Sequence, residues 1–143
     1  MKISVARDYS EYTGLRYCNI SEHSGEDFYH TVLNPKFAEA YENGEDVELI
    51  IDGTQDGIGP SFLDESIGNL VYDFTLDVVA SRLKIISNEL PQWLDMIKEE
   101  TYPVWEERRM TMREAKVTKA HEPWYRLKDG ILLKDVWIKF GNS

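Results

Sequence analysis

The chain of 143 residues has one cysteine, three histidines, five prolines and no long apolar run. Each scarcity excludes something. Cys18 alone cannot build an internal disulfide framework, and a lone thiol fits a reducing compartment. The longest apolar stretches, around 47–51 and 131–133, are far too short to span a bilayer. The opening Met1-Lys2-Ile3-Ser4-Val5-Ala6 runs straight into Arg7-Asp8 and leaves no room for the apolar core of a signal peptide. A cytoplasmic location with no membrane partner is therefore the expectation. His23, His30 and His121 are scattered, with no pair at i, i+4 beside a third ligand, so neither a zinc site nor any other metal or cofactor is expected. No Gly-x-x-x-x-Gly-Lys-Ser/Thr occurs, which excludes a phosphate-binding loop of that type.

Basic residues are also scarce in the first hundred positions. These hold 7 Lys plus Arg against 20 Asp plus Glu, a net of −13, whereas residues 101–143 hold 9 against 6, a net of +3. An acidic body repels nucleic acid and anionic membrane, so no direct nucleic-acid contact is expected from it. Composition is otherwise that of an ordinary folded domain, 42% hydrophobic and 29% charged. The length suits one domain with a modest appendage.

Hydrophobic patterning alternates strand and helix. Residues 2–7 place Ile3 and Val5 on one face of a strand, and 15–20 reads as a second short strand carrying Cys18. Ser24-Gly25-Glu26-Asp27 has the capping side chain and early acids of a helix start. Asn34-Pro35 predicts an N-cap and a restart, closed by Asn43-Gly44. Residues 47–52 form the plainest strand. A glycine-rich loop at 53–59 follows, and Pro60-Ser61 opens a helix with Leu63, Ile67, Leu70, Val71, Phe74 and Val78 at a 3.6-residue period. Residues 83–87 predict a buried strand and 88–100 a helix. Beyond Pro103, residues 104–115 have the composition of an exposed helix, and Asp129-Gly130 is a two-residue hairpin turn between 124–128 and 131–140. The pattern predicts an α/β core over residues 1–100, a small sheet covered by helices, then a helix and β-hairpin extension over 101–143.

The stretch around Asp52 is the most informative. A haloacid-dehalogenase-type phosphatase would need a carboxylate at position 50, which is Ile50, so no covalent phosphoryl acceptor exists there. Asp52, Thr54, Asp56 and Gly57 imitate part of a calcium loop, but its twelfth position falls on Leu63. Asp64 and Glu65 are adjacent on a helix and point apart, unlike a catalytic acid and base. No catalytic constellation is apparent, and a non-enzymatic protein is expected. An enzyme holding a divalent metal with Asp52, Asp56 and Asp64 is the third reading.

Asp52-Gly53-Thr54 followed by Gly57-x-Gly59-Pro60-Ser61-Phe62-Leu63-Asp64-Glu65 resembles the signature of the STAS-like domain family, bacterial and phage relatives of anti-sigma-factor antagonists. Asp8-Tyr9-Ser10, Gly14-x-Arg16, Ser24-Gly25-Glu26-Asp27-Phe28 and Arg82-Leu83-x-Ile85-x-Ser87 agree with it, so the resemblance covers residues 1–100. It implies a small STAS-like sheet backed by helices and a regulatory protein-interaction module. Its partner would be a histidine-kinase-type ATPase or another regulator, and a homodimer is a further option. In the antagonists a serine at a helix N-terminus is phosphorylated and switches partner choice, so the resemblance points to Ser61. Aligning on Phe62-Leu63-Asp64-Glu65-Ser66 instead puts Glu65 at that place and leaves Ser66 one residue late. Ser61 also reads as a plain N-cap paired with Asp64. The contact or switch residues implied are Asp52, Thr54, Asp56, Gly59, Ser61, Asp64, Glu65 and Ser66.

In the extension, Trp105, Arg109 and Arg113 are the candidate contacts of a docking arm, set against an ordinary closing helix and hairpin whose tryptophans fill space. The reading from a different class is an acidic phage-type inhibitor that binds a host nucleic-acid-binding protein complex.

Overall fold

The computed structural model describes residues 1–141. Three short strands, β1 (Lys2–Ser4), β2 (Val47–Ile50) and β3 (Leu83–Ile86), form a parallel sheet in the order β1-β2-β3. The register pairs Ile3 with Leu49 and Leu49 with Ile85. Ile3, Val47, Leu49 and Leu83 are buried on one face, while Lys2, Glu48 and Lys84 lie side by side on the other. A parallel sheet of this kind needs helical crossovers, and helices supply every connection. The fold is therefore a small α/β fold, as the resemblance implies, with a C-terminal hairpin.

One expected strand is cut short and another is absent among the described residues. Residues 2–7 form a strand only as far as Ser4, because Ser4 Oγ accepts the Arg7 N–H at 3.2 Å and Asp8 accepts the Ser4 N–H at 2.8 Å. That reciprocal cap starts α1 (Val5–Asp8) instead. The segment 15–20 is irregular. The Leu15 and Arg16 carbonyls accept from the Gly25 and Glu26 N–H groups, capping the start of α2 (Gly25–Phe28) rather than pairing with a strand.

Helix α2 continues through a π turn at Tyr29–Leu33 into α3 (Asn34–Glu42) without a break at Pro35. The wider turn absorbs the missing proline N–H, so the predicted restart does not occur. Asn34 is accordingly not an N-cap: it is buried and bonds the Tyr29 hydroxyl and the Tyr125 backbone. The same device recurs where α6 (Gln92–Met96) passes through a π turn at Ile97–Thr101 and over Pro103 into α7 (Tyr102–Met110). The last helix ends at Met110, five residues short of the prediction.

Helix α4 (Pro60–Phe74) is central, with twelve of its fifteen residues buried, so it is enclosed on all sides rather than amphipathic. The predicted periodicity through Val78 is interrupted at Thr75 (φ 79°), after which α5 (Leu76–Arg82) runs into β3. The hairpin β4 (Trp124–Lys128) and β5 (Ile131–Asp135) turns at Asp129 and Gly130, both at positive φ, and β5 stops at Asp135 rather than reaching residue 140. Trp105 and Trp124 both belong to the single buried core, so the extension packs onto α4.

Candidate functional site

The loop after β2 is held at both ends and exposed between. Asp52 accepts from Ser87 Oγ at 2.6 Å, from the Asn88 N–H at 2.7 Å and from the Glu89 N–H at 3.2 Å. Glu89 in turn accepts the Gly53 N–H. Slight burial works against the Asp52 carboxylate, but the three donors win and hold its pKa below the ordinary value. At the far end Ile58 is buried and its carbonyl accepts from the Trp93 indole. Between these anchors Asp56 and Gly57 take left-handed conformations (φ 58° and 80°) at an exposed tip, and Thr54 is half-buried.

Gly59 is the N-cap of α4, with no side chain capping the helix. Ser61 therefore sits inside the first turn, half-exposed, and the predicted Ser61–Asp64 capping pair does not form. Asp64 instead accepts from Arg16 at 2.7 Å and from Thr101 Oγ1 at 2.9 Å. Arg16, Pro60, Ser61, Asp64, Glu100 and Val104 line a shallow cleft of about 420 Å3 at this helix end.

Two predicted contact residues lie inside the protein. Ser66 is fully buried and donates to the Phe62 carbonyl at 2.8 Å. Glu65 is buried between Arg16 and Asn69, at 3.2 and 2.9 Å; burial pushes its pKa up, with both partners opposing. Neither can meet a partner or a kinase without local unfolding. Asp52, Asp56 and Asp64 do not form a metal-ligand cluster among the described residues, because Asp52 and Asp64 turn to separate partners.

The tail residues also need correction. Trp105 is a core residue, its ring over Gly68 where any Cβ would overlap it, so it is not a docking contact. Arg109 forms a two-pronged ion pair with Glu106 one helical turn back, at 2.6 and 2.8 Å. Arg113 is exposed and bonds only Thr111 by its side chain.

Sequence reasoning missed two buried polar clusters. In the first, Asp73 accepts from the Tyr29 hydroxyl, the Trp124 indole and Arg126. Burial lifts its carboxyl to about 6; the positive charge of Arg126 only partly offsets this, being shared with Glu114. In the second, Glu26 accepts from the Cys18 N–H, both donors of Thr118 and His121 Nε2. Burial opposes its ionisation, but His121, Thr118 and the backbone donors bring its pKa down to about 2. An acid on an otherwise apolar helix face was the only hint of Asp73. Nothing local pairs Glu26 with residues more than ninety positions away.

A cleft of about 610 Å3 lies between β3 and the α6–α7 region, lined by Leu83, Ile85, Leu94 and Tyr102 together with Lys84 and Lys98. It lies away from the Asp52 loop residues. Among the described residues, no helix is long and apolar enough to cross a membrane.

Residues 24–93 match the family model described as a STAS-like domain of unknown function. That segment contains α2, β2, the anchored loop, α4 and β3, but not the Asp8–Ser10 and Gly14–Arg16 stretches that the resemblance over residues 1–100 also drew on. No curated protein and no solved structure matches the chain.

Proposed function

We propose that this protein, which carries a STAS-like domain of unknown function over residues 24–93, is a non-enzymatic regulatory module that binds another protein through the loop 53–59 and the first turn of α4. The observation that carries the reading is the state of Ser61. It is half-exposed, lines the same cleft as Arg16, and lies in the first turn of a fifteen-residue helix that has no side-chain cap. A phosphate there would meet free N–H groups and the positive end of the helix, and would add about −1.5 to −2 charges to the docking face. Ser66 and Glu65 are buried, which supports Ser61 over either of them in this reading. Asp56, at the loop tip, and Asp64, beside Arg16, supply the fixed charge of the same face.

The test is a tagged pull-down from cognate host lysate at two salt concentrations, followed by incubation of the captured histidine-kinase-type ATPase with ATP. Phosphate on Ser61 by mass spectrometry, with binding lost in Ser61→Asp and weakened in Asp56→Ala, supports the switch. Capture that survives both substitutions overturns this face. The net charge of −13 over residues 1–100 favours a second reading, an acidic inhibitor of a host nucleic-acid-binding complex. It predicts a basic partner whose capture falls steeply as salt rises.

A further inference from the structure

Three ligand-bearing side chains meet at one point at the start of α2. Cys18 comes from the irregular segment before α2, Glu26 from α2 itself, and His121 from the stretch before β4. One ligand atom of each lies within 4.8 Å of the other two. Glu26 and His121 are almost sealed from water, their side chains 1% and 4% exposed, while Cys18 is half-exposed and gives an entry path. Beside them His30 stacks flat on His121 with ring centres 3.8 Å apart, and its buried Nδ1 has no hydrogen-bond partner. A second imidazole with an uncommitted nitrogen therefore adjoins the cluster.

We propose that Cys18, Glu26 and His121 form a zinc site that ties residues 118–121 to the start of α2. The donor set selects the metal: a thiolate and an imidazole suit zinc and exclude calcium or magnesium, which take oxygen. Charge agrees, since one thiolate and one carboxylate neutralise Zn2+ in a site where a net charge would be costly. Binding releases the Cys18 thiol proton, while the ring proton of His121 that now joins Nε2 to Glu26 at 2.6 Å is replaced by the metal and the neutral imidazole keeps its one proton on Nδ1. Tetrahedral zinc would hold the three ligand atoms about 3.4–3.7 Å apart, so Nε2 and the carboxylate oxygen separate slightly as the Cys18 side chain swings in. Thr118 keeps its two bonds to Glu26 and orients the carboxylate from behind. The site is independent of the switch reading and stands or falls without it.

The experiment titrates the full chain, stripped of metal, with Zn2+ against a chromophoric chelator and with Co2+ as a spectroscopic stand-in. The expected result is one equivalent bound and a sulfur-to-cobalt charge-transfer band in the near ultraviolet. Cys18→Ser, which is nearly isosteric, abolishes that band and weakens zinc binding at least tenfold, as does His121→Gln. His23→Ala, an exposed histidine outside the cluster, leaves both unchanged. Absence of the band in the unmodified chain, or its persistence in Cys18→Ser, overturns the proposal.

Discussion

Gly68 and Asp73 show how single positions on α4 govern the interior. The helix faces Trp105 across Gly68, so Gly68→Ala forces the ring or the helix aside. We expect a loss of about 2 kcal/mol or more, read as a lower urea midpoint with an unchanged slope. Asp73 has the opposite interest, a charge held among Tyr29, Trp124 and Arg126 with Glu114 nearby. Its folded pKa of about 6 lies above the ordinary value of 3.8, so the folded state binds this proton more tightly than the unfolded one. Acidification from about 6 towards 4 therefore adds stability through Asp73, and that contribution is lost as pH rises through 6. Urea midpoints across this window should fall below wild type in their acid-side gain for Asp73→Asn. A parallel pair of curves would mean that Arg126 keeps the carboxylate ionised throughout.

At the scale of elements, the strands at 47–50 and 83–86, the α4 start and the hairpin turn were legible because each has a local cause: β-branched runs, Pro at the first helical position, Asp-Gly at the turn. What was not legible has causes that lie far away in sequence. The stretch 15–20 looks like a strand by alternation but spends two of its carbonyls on capping α2. Pro35 and Pro103 look like helix breaks, yet each follows a π turn that lets the helix pass. Ser61 read either as a cap or as the switch, with Glu65 and Ser66 at the alternative switch position, and only the burial of α4 separates Ser61 from the other two. Thr75 is the clearest conflict between residue and element. A β-branched side chain at φ 79° and ψ 151° stands in a region suited to glycine, while its hydroxyl caps α5 through a 3.4 Å contact with the Val78 N–H. Glycine is only a few tenths of a kcal/mol poorer as a cap. Thr75→Gly should then stabilise the protein by about 1 kcal/mol in chemical denaturation, and a lower midpoint would show that the hydroxyl matters more than the strain.

For the whole molecule, the family match ends at residue 93 while the core does not. Trp105 and Trp124 enter the same cluster as Phe28, Phe62 and Leu70, and Asn34 bonds the backbone of β4 through both its oxygen and its nitrogen. A fragment of residues 1–100 would leave Gly68, Asp73 and the outer face of α4 open to water. We expect it to lack a cooperative thermal transition by circular dichroism, whereas the full chain shows one; a sharp transition in the fragment would support a division at residue 100.

The bonds from Glu26 to Thr118 and His121 also set a schedule for synthesis, since they join residues 92 and 95 positions apart. As the chain leaves the ribosome, α2 emerges with its carboxylate unmet and α4 with half its surroundings still unmade. Both wait until the residues from Thr118 onward have been translated. A nascent chain stalled before residue 118 would thus present an exposed apolar helix and an unpaired acid to whatever chaperone is nearby, and only the arrival of Thr118, His121 and Trp124 would end that exposure.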